Sequence, residues 1–219
     1  MAHAARTIEQ LIDAAEAEAR REPFPVDAAV YEHAKRDPGR PILYAGTLDA
    51  PVAVLARDLG RDEVAAGQPL IGAGGRLVRA EIVKRHGEDR NEEALKHALL
   101  TNTVPFKPPG NKAYAESVRV RFRPFVAELL AGFWTGTQVL TLGTEAFRWF
   151  EPYVEGGAFP ESAATDARFE AAYTCRLPLA GGKAKVVSVR PLPHPSPLNR
   201  RWYAKFPEML ARRLAESGG

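Results

Sequence analysis

Three polar residues stand at the ends of apolar runs, and their types cover a carboxylate, an amide and an imidazole. Asp58 closes Pro51-Val-Ala-Val-Leu-Ala-Arg-Asp58, Asn102 closes Ala98-Leu-Leu-Thr-Asn102, and His194 follows Lys185–Arg190 through Pro191-Leu-Pro. A carboxylate can position water and stabilise positive charge. A side-chain amide donates and accepts at once, so it can read a group presenting both functions. An imidazole N–H can stabilise a developing anion. Asp58 is followed by a turn at Gly60 and then by Gly67-Gln-Pro-Leu-Ile-Gly72-Ala-Gly-Gly75, a loop suited to lining a pocket. No Gly-Lys-Ser/Thr follows that loop, which argues against a nucleotide-binding enzyme of the phosphate-loop kind.

These residues meet only if the runs carrying them are strands of one sheet. Val52–Ala56, Ala98–Val104, Thr137–Gly143 and Lys185–Arg190 read as four buried strands. Between and around them lie helical patterns: a capping box at Thr7-Ile-Glu-Gln10 opening a helix to Arg20–Glu22, a short helix at 27–36, then 75–85, 117–132 (with Pro124 kinking it or marking its start), 144–150 and 202–215. Strands alternating with helices predict an α/β fold, a three-layer α/β/α sandwich with a central, mostly parallel four-stranded sheet. The carboxyl edge of such a sheet is where ligands bind. The chain 1–219 reads as a single domain, with the proline- and glycine-rich stretch 151–182 an irregular insertion.

Composition narrows the class. The apolar share is 45% and the net charge only +3, as in an ordinary globular protein. No run approaches the roughly 20 apolar residues that span a bilayer, and no signal peptide opens the chain, so no membrane partner and a cytoplasmic location are expected. The single cysteine, Cys175, reads as a structural thiol. Trp134, Trp149 and Trp202 read as core; His3, His33, His86 and His97 read as surface. Arg190, Arg200, Arg201, Lys205, Arg212 and Arg213 make the C-terminal third basic, which permits a polyanionic partner.

Four motifs in order resemble the uracil-DNA glycosylase superfamily, most nearly its iron–sulfur-bearing family 4. Thr101-Asn102-Thr-Val-Pro-Phe-Lys-Pro108-Pro-Gly-Asn111 resembles the uracil-recognition motif, and His194-Pro195-Ser196 the second catalytic motif. The Gly67–Gly75 loop resembles the loop after the first motif, and Leu142-Gly143-Thr144-Glu-Ala146 a strand-end turn. The resemblance covers nearly the whole chain. It implies a monomeric hydrolase that binds DNA containing a damaged base, flips that base out and cleaves its N-glycosidic bond. By resemblance Asp58 takes the water-activating position and His194 the leaving-group position. Asn102 takes base recognition, with Leu70 and Gly60 in the base pocket. Ser196 and Thr144 fall on backbone phosphates, and Leu198, Asn199 and Arg200 where the family inserts a wedge. Glu63 matches an acidic position of the loop.

The departures are specific. Ala56-Arg57-Asp58-Leu59-Gly60 replaces the family-4 pattern Gly-Glu-Ala-Pro-Gly and puts an acid where family 1 has one. Leu70 stands in place of an aromatic that stacks on the base. Phe106 and Phe122 fall at positions of cluster-ligating cysteines; with Cys175 the single cysteine, no iron–sulfur cluster and no other cofactor is expected, and apolar packing by the two rings is expected in its place. The first motif and Leu70 also leave open a second reading, a member that binds DNA or a modified base of altered identity without cleaving it.

Overall fold

The computed structural model describes residues 6–110 and 112–216; His3 and Asn111 lie outside them. The chain opens with α1 (Ile8–Arg21) and α2 (Ala28–His33), followed by β1 (Tyr44–Gly46) and β2 (Val52–Asp58). Next come α3 (Arg61–Ala66), α4 (Ala73–Arg85), β3 (Ala98–Val104), α5 (Glu116–Glu128), β4 (Gln138–Leu142) and α6 (Thr144–Arg148). The last part comprises β5 (Tyr173–Pro178), β6 (Ala184–Leu192), α7 (Arg200–Tyr203) and α8 (Phe206–Ala215). The expected capping box forms: the Gln10 N–H donates to Thr7 Oγ1 at 3.2 Å and the Thr7 N–H to Gln10 Oε1 at 2.8 Å.

The sheet has six strands rather than the expected four, in the order β1-β3-β2-β4-β6-β5. The four expected strands are its parallel centre, and β1 and β5 add antiparallel edges. Side chains of β2 alternate between the two faces. Ala53 and Leu55 pack under α1, α5 and α6, whereas Val52 and Val54 pack under α4 and α8. The result is helix, sheet and helix in three layers.

Several expectations change in detail. The stretch 151–182 is not irregular throughout: Tyr173, Cys175 and Leu177 point inward and Thr174, Arg176 and Pro178 outward, forming β5. The helix expected over 202–215 is broken into α7 and α8. The helix expected over 117–132 is α5, running on into a π turn at Leu129–Phe133 with Pro124 inside it. The Lys185 ammonium donates to the Leu130 and Trp134 carbonyls that the turn leaves over. His86 and His97 are not independent surface residues; their rings stack at 3.6 Å, and His97 Nε2 lies 3.0 Å from Glu88 Oε2. Trp134, Trp149 and Cys175 are buried as expected, while Trp202 is only partly so.

The N-terminal segment is built into the molecule. Phe24 inserts beside Phe106 and Phe122, with ring centroids at 5.1 and 4.9 Å, and Tyr114 completes the cluster. The buried Lys107 ammonium donates to Asp27 Oδ2 at 3.0 Å and to the carbonyls of Pro108 and Gly110, and the Lys107 N–H donates to the Tyr31 hydroxyl at 3.1 Å. The loop after β3 is thereby fastened from below and from the side. Phe122→Leu should lower stability by about 1–2 kcal/mol through lost burial and residual cavity. Urea unfolding would read this as a lower midpoint at unchanged slope; an unchanged midpoint would remove the ring cluster from any anchoring role. No helix of the described residues is long and apolar enough to cross a membrane.

Candidate active site

After β2 the chain turns to β3 on one side, and after β4 it turns to β6 on the other. The crevice where the strand order reverses therefore opens between the carboxyl ends of β2 and β4. A cavity of about 210 Å³ lies at this edge of the sheet. Asp58, Gly60, Leu70, Asn102 and His194 all line it, joined by Arg57 and Glu63. Five of the ten residues singled out from sequence thus share one cavity.

Asp58 is the last residue of β2, and its side chain is 2% exposed. Neither carboxylate oxygen has a hydrogen-bond partner among the described residues. Arg57 Nε lies 3.2 Å from Oδ2, a charge contact without hydrogen-bond alignment. Burial lifts the Asp58 carboxyl from its ordinary 3.8 to about 6. The Arg57 guanidinium pulls the other way and does not prevail.

Asn102 is held by its neighbours. Thr101 Oγ1 donates to the Leu43 carbonyl at 2.7 Å and Thr103 Oγ1 to the Arg57 carbonyl, so β3 is fixed on both sides. Asn102 is 2% exposed, pairs in register with Ala56, and its Oδ1 has no partner among the described residues.

The glycine loop is shaped by two side chains that sequence reading left without a role. Glu63 Oε1 accepts the N–H groups of Ile71 (3.0 Å) and Gly72 (2.8 Å), capping α4, whose Gly72 N-cap has no side chain to do so. Buried Arg79 donates from Nε to the Leu70 carbonyl at 2.9 Å and from Nη2 to the Pro69 carbonyl at 3.0 Å. Leu70 is held in the left-handed region at φ 55°, uncommon for a branched side chain. The one signal available in the sequence was an acid nine residues before the glycine that starts a helix. The carbonyls that Arg79 reads leave no trace in residue types.

His194 stands at the rim, exposed on one side. Its neighbours in sequence pack against two other motifs. A Cβ on Gly74 would lie 2.8 Å from the Pro195 carbonyl oxygen, and one on Gly143 would lie 3.1 Å from His194 Cβ. Gly143 also has φ 86°, so glycine serves there both conformation and fit. The surrounding walls and the Arg57 charge hold the His194 pKa below the usual 6.5. The direction means a neutral imidazole at pH 7.

The other five residues lie outside the cavity lining. Thr144 opens α6, exposed, with Arg168 Nη2 donating to its Oγ1 at 3.3 Å. Ser196 Oγ accepts the Leu198 N–H at 3.3 Å, and Asn199 Nδ2 donates to the His194 carbonyl at 3.2 Å, so 194–199 is a self-bonded turn. At its tip Leu198 is 93% exposed. Arg200 is exposed and forms no ion pair among the described residues, whereas most of the basic cluster is engaged. Arg190 and Arg213 pair with Glu216, Arg212 with Glu170, and Arg201 with Asp166.

The positions that resemblance assigns to cluster cysteines hold Phe106 and Phe122, buried with ring centroids 5.1 Å apart. Cys175 is on β5 at the far edge of the sheet, its thiol pushed up to about 12 by burial. These donors do not fit an iron–sulfur cluster, and the described residues contain no group of three His, Cys, Asp or Glu placed to hold a metal ion. No curated protein matches the chain. The family model of the Uracil DNA glycosylase superfamily matches residues 43–217, about four-fifths of the chain.

Proposed function

The chain belongs to the uracil-DNA glycosylase superfamily, and from that premise we propose that it is a monofunctional DNA glycosylase that excises a deaminated base, uracil first, from DNA. One observation carries the reading: a buried carboxylate that accepts no aligned hydrogen bond and touches only the Arg57 charge, and a buried amide oxygen without a hydrogen-bond partner among the described residues, line the same small cavity as a neutral imidazole. Within the superfamily we infer a relative of family 4 that anchors its recognition loop by aromatic packing rather than by a cluster. The reading is of one domain acting as a monomer.

The chemistry follows from the groups. A base flipped into the cavity presents a donor beside an acceptor to the Asn102 amide. The C1′–N bond breaks and its electron pair leaves on the base. Water oriented by the Asp58 carboxylate adds its oxygen to C1′ and gives a proton to that carboxylate. The base departs as an anion that the neutral His194 stabilises by donating an N–H. Proton transfer through solvent then returns Asp58 to its ionised form and neutralises the base, leaving an abasic sugar. Gly60 and Leu70 make the base-facing wall small and apolar. Thr144 and Ser196 are proposed to meet backbone phosphates, and the turn 198–200 to enter the stack.

The reading is tested by cleavage of single- and double-stranded oligonucleotides bearing uracil, hypoxanthine, xanthine or mismatched thymine. Uracil cleavage is the expected result. Tight, salt-dependent DNA binding with no product on any of them would overturn it in favour of a non-cleaving binder, a reading that Leu70 in place of a stacking ring favours.

Leu198 supplies a separate test. Because its side chain is almost wholly in solvent, Leu198→Ala should leave stability within about 0.5 kcal/mol. If the side chain wedges into the stack, duplex cleavage should fall about ten-fold while single-strand cleavage stays nearly unchanged. Equal losses on both substrates would remove the wedge role.

A further inference from the structure

We propose that Arg57 is a further catalytic residue, its guanidinium stabilising the negative charge that the departing base acquires. The proposal rests on the glycosylase reading above. Arg57 is the penultimate residue of β2 and lines the cavity together with Asp58, Asn102 and His194. Its Nε lies 3.2 Å from Asp58 Oδ2, and its side chain is 36% exposed, so the group stands at the cavity wall rather than in the core. Its backbone is fixed by the Thr103 hydroxyl.

Charge accounting singles it out. The bond that breaks is C1′–N; both electrons go to the base, which leaves carrying a full negative charge until solvent protonates it. His194 is held neutral, so it can offer a hydrogen bond but no charge. A guanidinium stays protonated throughout. The other cations near Asp58, Lys107 and Arg119, do not line the cavity. Lys107 is bound to Asp27 and two carbonyls, and Arg119 is paired with Glu116 and Glu145. Among the described residues lining the cavity, Arg57 alone carries a permanent positive charge. Its field reaches both reacting ends, lowering the pKa of Asp58 and of His194. One residue therefore favours the carboxylate that orients water, keeps the imidazole neutral, and receives the anion.

The test uses two leaving groups of different acidity, uracil and 5-fluorouracil, in the same oligonucleotide under single-turnover conditions. The fluorinated base is the more acidic and needs less help to leave. With Arg57→Gln, uracil cleavage should fall about 100-fold and 5-fluorouracil cleavage less, so that the ratio of the two rates rises about ten-fold. The acid limb of the pH profile should also move upward, because Asp58 loses the charge that lowers its pKa. Arg57→Lys keeps the charge and should return the ratio close to its original value. An unchanged ratio in Arg57→Gln, or a ratio in Arg57→Lys as high as in Arg57→Gln, would overturn the proposal. Wild-type protein that cleaves neither base would overturn the glycosylase reading and this assignment with it, whereas wild-type cleavage with an unchanged ratio overturns this assignment alone.

Discussion

Asp58→Asn is expected to lower the single-turnover rate by about 10³-fold, within the 10²–10⁴ range for loss of a positioned proton acceptor. The wild-type rate should rise with pH through about 6, because the carboxylate must be ionised to accept the proton from water and burial sets its pKa there. The variant should lose that limb. A variant that keeps both the rate and the limb would show that another group orients the water. The same burial predicts an opposite effect on the fold. Asp58 has a higher pKa folded than unfolded, so well below its ordinary 3.8 both states are protonated and nothing is lost. As pH rises from about 4 to 6 the unfolded chain releases its proton first, and this residue's own contribution to stability falls by up to about 3 kcal/mol. Asp58→Asn removes that penalty, so the inactive variant should melt higher than wild type at pH 7. Activity and stability are opposed at this residue.

His194→Ala is expected to reduce the rate about 10²–10³-fold with little change in KM, since the lost hydrogen bond matters only as negative charge develops. The substitution keeps the Cβ that rests against Gly143, and the ring is partly in solvent, so the fold should be preserved and the loss can be read as chemistry. His194→Gln, which retains a donor, should recover part of the rate. If both variants behave alike and only KM rises, the imidazole binds substrate without acting on the leaving group. Together with the Arg57 series, this separates a hydrogen bond from a charge acting on the same anion.

Much of this site could be read in the sequence because its parts are local. Asp58, Asn102 and His194 each follow an apolar run, and a parallel sheet turns that linear fact into a shared edge. Gly143 and Gly74 were legible as punctuation, though their purpose, room for His194 and Pro195, needs the third dimension. The edge strands were missed for different reasons. Tyr44–Gly46 is too short to carry a period and ends on a glycine. Tyr173–Pro178 does alternate, but glycine and proline on both sides hide it. The roles of Glu63 and Arg79 escaped because they bind backbone amides and carbonyls, which every residue has and no pattern marks. The basic C-terminal cluster was visible as charge, yet Glu216, Glu170 and Asp166 neutralise much of it, and only the fold chooses those pairs.

The anchoring of the loop after β3 has a consequence for where this molecule can be cut. The family match begins at residue 43, but Phe24, Asp27 and Tyr31 precede it and hold Phe106, Lys107 and Gly110. A truncation at the family boundary would pull one ring from the aromatic cluster and leave the Lys107 ammonium without its carboxylate, three residues beyond the end of the Asn102 strand at Val104. Shuffling or grafting of the family-matched span must therefore carry the first two helices along, because residues that anchor the loop after β3 lie outside that span.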